Sequence, residues 1–302
     1  MSTLMGNRDD DLLRDSEDLL TRLYKLIPTQ TQDVIAMTIF LVVLPLAFLF
    51  QIFFVMADFY EPFSSPWLAR VGILSVLFVN CYINYAFMVR VGPNGRNNVL
   101  PNTVQAGFRY CHACQSQSPP RAYHCPVCDT CAFRRDHHCS FGAICVGHFN
   151  QRYFVAAVTN LWVVYATMVS YTWPWLVARL DHFTFVSYWQ LLVPHIAFVF
   201  RFISLVQFAC IVLMSSTMVS FLFITYLVAA QMICIYRGQS RLEYLMDIHA
   251  YDLGVVANIK NSLGRNWLPA LFIPFLPLQL PSTTGTHFET REMAKHVDTK
   301  SL

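Results

Sequence analysis

Most cysteines of this chain lie in one short segment, where they are mixed with histidines at metal-ligand spacing. Seven of the ten cysteines and four of the ten histidines fall between Cys111 and Cys145. Cysteine pairs separated by two residues and interspersed with histidines are typical of zinc sites, whereas a disulfide scaffold does not need the histidines. Residues 108–149 hold few aliphatic side chains for a core, so zinc binding must supply the folding free energy of this segment.

The candidate zinc ligands number eight, which fills two tetrahedral sites of four ligands each. Spacing alone does not say which of them share an ion. His112 and His148 are left outside both sites, and we expect them to be solvated or hydrogen-bonded. The eight candidates are Cys111, Cys114, His124, Cys125, Cys128, Cys131, His138 and Cys145.

Cys139 is then left without a metal role, and it follows Asp136 and His137 closely in the chain. The thiolate is the reactive form of cysteine, and a positive field from Arg134 and Arg135 favours it. A histidine can take the thiol proton, and a carboxylate can orient and charge-stabilise that histidine. The pattern predicts Cys139 as nucleophile, His137 as base and Asp136 as its partner, although neighbours in sequence need not face one another.

The rest of the chain is too apolar for a soluble globule. Charged residues make up 13% of the 302 residues, about half the share usual in soluble domains. A transmembrane helix needs about 20 mostly apolar residues, and residues 34–56, 68–89 and 153–177 meet that requirement. The net charge of +3 is too small to indicate nucleic acid, so we expect the lipid bilayer as partner and no nucleic acid.

The number of spans depends on residues 183–236, which are almost continuously apolar except at Pro194 and Arg201. They hold either one long span near 204–236, preceded by an interfacial or re-entrant piece, or two spans. Basic residues favour the cytoplasmic side, and they precede the first span, occupy the cysteine-rich region and follow the last span. Both termini and the cysteine-rich region are therefore expected in the cytoplasm. That requires an even number of spans, and we predict four, with Arg201 at the luminal edge as a snorkelling anchor.

The sequence thus predicts an all-α polytopic membrane protein, a four-helix transmembrane bundle with a cytoplasmic cysteine-rich domain of short strands and loops around two zinc ions. The apolar stretch 267–280 is broken by three prolines, and we expect it in the membrane interface or packed on the bundle. No internal repeat is evident. The predicted segments are a cytoplasmic N-terminal segment (1–33), helices 1 and 2 (34–89), the zinc-binding domain (90–152), helices 3 and 4 with a luminal connection (153–236), and a cytoplasmic C-terminal segment (237–302).

The position of Cys139 indicates its substrate class, since it lies fourteen residues before the third span. A nucleophilic thiol at the membrane surface can meet activated lipids, and acyl-CoA places its chain in the bilayer and its charged head group in water. We expect Arg134, Arg135 and Arg152 as contacts for that head group. Aromatic residues of the spans are candidates for closing the end of an acyl-chain cavity, namely Phe48, Phe50, Trp162, Tyr165 and Tyr226.

The cysteine-histidine pattern, Cys111-x2-Cys114-x9-His124-Cys125-x2-Cys128-x2-Cys131-x4-Asp136-His137-His138-Cys139-x5-Cys145, closely resembles the DHHC protein S-acyltransferases, the palmitoyltransferases. The match includes Pro120 and Arg121 within the segment and Asn150 and Phe154 after it. The resemblance assigns one zinc to Cys111, Cys114, His124 and Cys131, and the other to Cys125, Cys128, His138 and Cys145.

The same resemblance implies a two-step reaction. Cys139 would attack palmitoyl-CoA or a similar long-chain acyl-CoA and become acylated, with His137 as base oriented by Asp136. The acyl chain would then pass to a cytoplasmic cysteine of a membrane-associated substrate protein. The four spans would enclose a tapering cavity for the chain, in the ER or Golgi membrane.

A second stretch resembles the C-terminal motif of that family. It comprises Tyr251-Asp252-Leu253-Gly254, Asn258 and Leu263-Gly264, and looks closest to the subgroup that includes mammalian member 24. Two other motifs depart from the family pattern. Gly92-Pro93-Asn94-Gly95 stands where Asp-Pro-Gly is frequent, and Ser240-Arg241-Leu242-Glu243 stands for Thr-Thr-x-Glu, which is thought to brace the catalytic domain.

Two other functions compete with acyl transfer. A non-catalytic zinc module on a membrane anchor, acting as an adaptor, is favoured by the altered motif at Arg241 and opposed by the intact Asp136-His137-His138-Cys139. A membrane-bound RING-type ubiquitin ligase would need a terminal cysteine pair after the central histidine, and Cys139 and Cys145 do not provide it.

Overall fold

Four long apolar helices and three small hairpins make up the core of this fold. The computed structural model describes residue 28 and residues 30–95, 105–180, 188–277 and 279–294, so most of the predicted N-terminal segment 1–33 lies outside it. Within this part of the chain, four helices are long and apolar enough to cross a membrane. They confirm the predicted four-span bundle, and six three-residue strands confirm short strands in the cysteine-rich domain.

The elements follow one another in a simple order. The helices are α1 Thr31–Asp58, α2 Ser65–Val91, α3 Gln151–Val177, α4 Tyr188–Leu192, α5 Pro194–Val199, α6 Leu205–Tyr236, α7 Arg241–Leu245, α8 Val255–Leu263 and α9 Trp267–Ala270. The strands lie between α2 and α3 and are β1 Arg109–Cys111, β2 Ser116–Ser118, β3 Tyr123–Cys125, β4 Thr130–Ala132, β5 His137–Cys139 and β6 Ile144–Val146. They pair as three antiparallel hairpins, β1–β2, β3–β4 and β5–β6.

Helix α3 is the central helix of the bundle. It packs against both α2 and α6, and 56% of its apolar window is buried, compared with 22–33% for the other three spans. The remaining apolar faces are exposed in the isolated chain, as expected for helices whose solvent is lipid. Helix α3 is therefore the most buried span, and α1 is one of the three spans that expose most of their apolar surface.

Helix α1 contains two π-helical stretches, Ile39–Val43 and Gln51–Val55. In the first stretch, the carbonyl of Phe40 accepts a hydrogen bond at 2.5 Å from the hydroxyl of Tyr82 in α2. A side chain thus competes for one of the carbonyls of the helical hydrogen-bond pattern. Such insertions are a recognised cause of π-bulges, which occur frequently at functional sites. The bulge stacks the Phe40 ring against Tyr82, with a centroid distance of 4.9 Å.

Within residues 188–236, the part of this stretch that the structure describes, there is one long span. Two short helices, α4 and α5, precede α6, and Pro194 occupies the first turn of α5. Helix α6 begins at a capping box formed by Ser204 and Gln207. Arg201 is exposed in the preceding loop, and the residues around it include exposed apolar side chains such as Phe200 and Phe202.

The proline-rich stretch after α9 packs on the bundle, which is one of the two predicted arrangements. Prolines remove backbone donors and leave carbonyls free to accept side-chain hydrogen bonds. The Leu271 carbonyl accepts from Asn80 of α2 at 3.0 Å and from Asn160 of α3 at 2.8 Å. Arg152 donates to the carbonyls of Pro274 at 3.1 Å and Leu276 at 2.7 Å. The C-terminal segment thereby ties α2 to α3.

Candidate active site

The three hairpins are one structural unit repeated every fourteen residues. Each turn follows a strand that ends in cysteine, namely Cys111, Cys125 and Cys139. Each turn also carries a residue in the left-handed region, at Gln115 (φ 48°), Asp129 (φ 46°) and Ala143 (φ 49°). We expected no internal repeat, and the three hairpins show that this expectation was wrong. The missed signal was the constant cysteine spacing, with His124 and His138 and then Cys131 and Cys145 also fourteen residues apart.

Strand geometry sorts the eight ligands into two groups. Successive strand residues point to opposite faces, so His124 and Cys125 must serve different sites. His124 lies opposite Cys131 across β3–β4, and His138 lies opposite Cys145 across β5–β6. Each such pair meets the two cysteines of the preceding hairpin. Cluster 1 is Cys111, Cys114, His124 and Cys131, and cluster 2 is Cys125, Cys128, His138 and Cys145.

Both clusters fit a tetrahedral zinc ion. Within each cluster the four ligand atoms lie within 4.8 Å of one another. The Sγ atoms of Cys114 and Cys131, and likewise of Cys128 and Cys145, are 3.7 Å apart. A zinc–sulfur bond of about 2.3 Å gives a tetrahedral edge of roughly 3.8 Å. Three cysteines and one histidine form a closed structural donor set, so these residues would hold zinc as a scaffold.

Cys139 occupies the position that a zinc ligand, Cys111 or Cys125, holds in the first two hairpins, but Cys139 belongs to neither cluster. The second cysteine of the other two turns is replaced here by Gly142. Gly142 packs on α2, since a Cβ atom at this position would come within 2.8 Å of Met88 Cε. The third turn is therefore docked on the membrane bundle, which places the Cys139 thiol at the end of the bundle.

Residues His137 and Cys139 share one face of β5, while His138 faces cluster 2. This follows from the period of two along a strand and settles whether the neighbouring residues face one another. His137 Nδ1 lies 2.7 Å from Asp136 Oδ2, and the Phe154 ring packs edge-on against the imidazole at a centroid distance of 4.9 Å. The three residues predicted as nucleophile, base and orienting carboxylate are thus brought together.

The Asp136 carboxylate is buried and held by three donors. Besides His137, Gln231 donates its Nε2 to Oδ2 at 2.7 Å, and the Arg241 backbone N–H donates to Oδ1 at 2.6 Å. Burial raises the pKa of Asp136, but the hydrogen bonds from His137, Arg241 and Gln231 outweigh burial and leave its pKa below the ordinary 3.8. Burial lowers the pKa of His137, but Asp136 and the neighbouring Cys139 side chain raise it to about 10. Asp136 therefore stabilises the imidazolium form of His137, which is the form that results when His137 accepts a proton.

The Ser240-Arg241-Leu242-Glu243 motif braces the site despite its altered sequence. Ser240 and Glu243 form a reciprocal capping box at the start of α7. Glu243 also accepts from Arg121 Nε at 2.7 Å and Nη2 at 2.6 Å in a buried bidentate pair. Position 241 contributes its backbone N–H to Asp136, while the Arg241 guanidinium turns away and donates to the Tyr226 hydroxyl at 2.8 Å. A side-chain change at 241 therefore leaves the contact with Asp136 intact.

The other altered motif also keeps a structural contact. Asn94 donates to the Cys131 carbonyl at 2.8 Å and accepts from the Phe133 backbone N–H at 2.8 Å. The amide thereby fastens the chain after α2 to the second hairpin.

The C-terminal motif anchors α8 to the end of α6. Buried Asn258 donates to the Tyr236 carbonyl at 2.9 Å and accepts from the Leu253 backbone N–H at 3.0 Å. The Tyr251 ring lies 4.1 Å from the Arg121 guanidinium, and Arg121 in turn pairs with Glu243. Through Tyr251, the motif therefore packs against the buried Arg121–Glu243 pair.

Two of the three arginines expected at the acyl-CoA head group hold buried structural contacts. Arg134 donates to Gln151 Oε1 at 2.6 Å and to Ser262 Oγ at 2.7 Å. Arg152 donates to the carbonyls of Pro274 and Leu276 after α9. The arginines Arg134 and Arg152 are each only 2% exposed. Arg135 donates to the His124 carbonyl at 3.3 Å and is partly exposed. Of the three, Arg135 alone has exposure suited to a head group.

An apolar cavity of about 330 Å³ lies between the four spans, with Cys139 among the residues that line it. A second chamber of about 340 Å³ shares seven lining residues with the first, and Tyr165 is the aromatic residue among them. Among the candidate closing residues, Phe48 and Phe50 line only the second chamber. Trp162 is bonded to Thr225, and Tyr226 to Arg241. The first cavity therefore lies where the acyl chain was expected, between the spans and next to Cys139.

Some residues of the site were missed by sequence reasoning. Gln231 of α6 supports Asp136, and Gln151 of α3 accepts from Arg134 and donates to Gln231 at 3.0 Å. The available signal was a polar side chain in an otherwise apolar span, since such residues are costly in lipid and usually functional. Asp33 at the start of α1 was also missed, and its Oδ2 lies 3.0 Å from His138 Nε2.

A cysteine, histidine and carboxylate set on a zinc-fitted scaffold at an apolar membrane cavity define a membrane enzyme that handles lipid chains. A family model described as "DHHC palmitoyltransferase" matches residues 105–248. The chain is 31% identical to "Probable palmitoyltransferase ZDHHC24" of Mus musculus over 223 residues, covering 73% of this chain and 78% of that protein. The counterpart in Danio rerio is 33% identical over 209 residues, covering 68% and 70%.

A fungal relative is matched over a smaller share of the chain. "Palmitoyltransferase pfa3" of Aspergillus fumigatus is 36% identical over 141 residues, which cover 38% of this chain and 25% of that protein. The chain belongs to the DHHC palmitoyltransferase family and is a multi-pass membrane protein. Its activity is protein S-acyl transfer, as the resemblance of the cysteine-histidine pattern implied.

Proposed function

We propose that Cys139 is the acyl carrier of a two-step transfer from long-chain acyl-CoA to a protein cysteine. The observation that supports this most directly is the shared face of β5, which presents Cys139 and His137 together at the apolar cavity. Zinc in clusters 1 and 2, when bound, fixes the hairpins and takes no part in bond making. Asp136 keeps His137 oriented through Nδ1, which leaves Nε2 for the thiol.

In the first step the Cys139 thiol gives its proton to His137, and the thiolate attacks the thioester carbonyl of acyl-CoA. The carbon–sulfur bond to CoA breaks, the acyl group is transferred to Cys139, and His137 returns the proton to the CoA thiolate. The ionised Asp136 stabilises the imidazolium between these events. The sum is one thioester exchanged for another, and no oxidant or further reactant is required.

In the second step a cysteine of a membrane-associated protein takes the place of CoA. His137 accepts its proton, the substrate thiolate attacks the acyl-Cys139 carbonyl, and Cys139 leaves as thiolate and regains the proton from His137. A site at the membrane surface selects substrates whose cysteines lie close to the bilayer, because the acyl chain stays in the cavity between the spans.

The cavity supports a role for Tyr165 in chain-length preference. Its side chain borders both chambers, so it stands where a longer chain would pass from the first into the second. A Tyr165→Ala variant is expected to accept longer acyl-CoA chains, which a competition assay with acyl-CoA of graded length measures.

We place the cysteine-rich domain and both termini in the cytoplasm, where acyl-CoA is made available, and the protein in the ER or Golgi membrane. The support is the distribution of arginines, since the loop between α1 and α2 has none. A glycosylation acceptor inserted in that loop should be modified, and one inserted after residue 294 should not.

The test of the carrier is autoacylation of the full-length protein in detergent with labelled palmitoyl-CoA. Wild type should take a hydroxylamine-sensitive label, and Cys139→Ser should take none. Cys210→Ser is the matched control, because Cys210 is a buried cysteine of the spans that does not line this cavity. Equal labelling of Cys139→Ser and wild type, or a loss of label in Cys210→Ser alone, would overturn the assignment.

A further inference from the structure

A buried carboxylate of the first span meets cluster 2. Asp33 lies in the first turn of α1, and its Oδ2 is 3.0 Å from His138 Nε2. The side chains of Asp33 and His138 are only 5% and 12% exposed, so little water competes for this contact. The two residues are 105 positions apart in the chain, so the pair is a product of tertiary packing.

The two nitrogens of His138 have separate partners. Nδ1 lies 3.2 Å from Cys128 Sγ and belongs to the ligand set of cluster 2. A histidine that binds zinc through one nitrogen carries its proton on the other, and it usually donates that N–H to a carboxylate or carbonyl. This contact fixes the ring and raises the basicity of the ligand. Asp33 has the position and the chemistry of that acceptor.

The contact between Asp33 and His138 also holds helix α1, which forms one wall of the cavity. Helix α1 contributes Phe40 and Val43 to the lining beside Cys139, yet only 28% of its apolar window is buried. Within the described residues, no other hydrogen bond joins α1 to the cysteine-rich domain. Asp33 precedes Phe40 by two helical turns, so the position of its carboxylate governs where this end of α1 lies.

We propose that Asp33 is a positioning residue that orients the zinc ligand His138 and ties α1 to the hairpin that carries Cys139. Cluster 1 also has a carboxylate near its histidine, but this carboxylate is exposed and not buried. Asp129 Oδ1 lies 3.8 Å from His124 Nε2, and its side chain is 91% exposed. The effect on zinc retention stands without acyl transfer, whereas the effect on the cavity rests on the proposed function.

The first experiment measures zinc release from the full-length, zinc-loaded protein in detergent, using a colorimetric chelator. In Asp33→Leu, one of the two zinc ions should leave about 10- to 100-fold faster than in wild type, because the histidine has lost its acceptor. The other ion should leave at the wild-type rate. Asp33→Asn should stay close to wild type, since its amide oxygen accepts the same N–H. Asp129→Leu is the matched control and should leave both rates unchanged.

Unchanged release from Asp33→Leu, or equally fast release from Asp33→Asn and Asp33→Leu, would overturn the proposal. If Asp33→Leu does not fold, Asp33→Ser replaces it, since its short side chain does not reach His138. Autoacylation at saturating zinc is the second readout, and its initial rate should fall about 10-fold in Asp33→Leu and recover in Asp33→Asn. If wild type takes no label, the proposed function fails while the zinc result still decides the role of Asp33.

Discussion

The two zinc clusters have the same ligands and nearly the same geometry but different surroundings. Cluster 1 lies between the first two hairpins, and the carboxylate near its histidine is the exposed Asp129 of the same hairpin. Cluster 2 lies between the second and third hairpins, and its histidine meets the buried Asp33 of a membrane span. One cluster is supported locally, and the other is attached to the membrane bundle.

This difference follows from the third hairpin. His138 of β5 binds cluster 2 on one face, while His137 and Cys139 present the opposite face to the cavity. Cluster 2 therefore fixes the strand on which the proposed chemistry occurs, and cluster 1 stands one hairpin further away. Changes at cluster 2 should affect acyl transfer directly, whereas changes at cluster 1 should act on the stability of the domain.

The largest effect is expected from removing one zinc ligand of each cluster. Cys128→Ser should lose the cluster 2 ion and autoacylation should fall by about 100-fold or more, because zinc supplies the folding free energy of the hairpins. Cys114→Ser should lose the cluster 1 ion and keep a measurable part of the activity, since β5 and β6 are held by the other ion. Zinc stoichiometry and labelling with palmitoyl-CoA test both. Equal loss in the two variants would contradict the comparison.

The next effect concerns the buried pair that braces the domain from α7. Glu243→Gln leaves the Arg121 charge buried without its partner, which should cost about 3–5 kcal/mol of stability. Thermal unfolding in detergent measures the loss. Asp129→Asn is the control, because this exposed carboxylate should change the unfolding temperature little. A similar loss in both variants would show that the pair has no special role.

The same residues predict acid sensitivity. Burial raises the pKa of Glu243, but the Arg121 charge outweighs it and leaves the pKa below the ordinary 4.5; the Asp136 pKa is lowered similarly. A carboxyl with a depressed folded-state pKa contributes stability above its unfolded pKa and loses it as the pH falls through the folded value. The contribution of these two carboxyls should therefore be constant near neutral pH and decline below about pH 4.5. Thermal unfolding of zinc-loaded protein at graded pH tests this, and Glu243→Gln should show a shallower decline.

Much of this arrangement could be predicted from local sequence, and the rest depends on distant contacts. The ligand spacing and the apolar runs are local properties, and they predicted the eight ligands and three of the spans. The distribution of basic residues then gave the total of four spans. The alternation along a strand would also have separated His138 from His137 and Cys139. By contrast, the partners of Asp136 and His138 lie 95 and 105 residues away, at Gln231 and Asp33. Positive charge near Cys139 suggested a ligand contact for Arg134, but packing determined that this guanidinium is buried against Gln151 and Ser262.

A smaller effect is expected when each histidine ligand becomes a cysteine. Both His124→Cys and His138→Cys retain four zinc ligands, but only the second removes a histidine that meets a buried carboxylate. His138→Cys should therefore slow autoacylation about 10-fold, and His124→Cys much less. Adding Asp33→Leu to His138→Cys should cause little further loss, because the contact is already absent. Full additivity of the two changes would show that Asp33 acts elsewhere.

The smallest effect should come from Arg241→Thr, although position 241 touches the catalytic carboxylate. Its contribution to Asp136 is a backbone N–H at 2.6 Å, which any residue but proline provides, and the guanidinium is occupied with Tyr226. Autoacylation of Arg241→Thr should stay within about twofold of wild type, since one partly exposed hydrogen bond is worth about 1 kcal/mol or less. Arg241→Pro removes the N–H and should reduce activity sharply, although proline is tolerated at the first position of a helix. A large loss in Arg241→Thr would show that the side chain itself acts at the site.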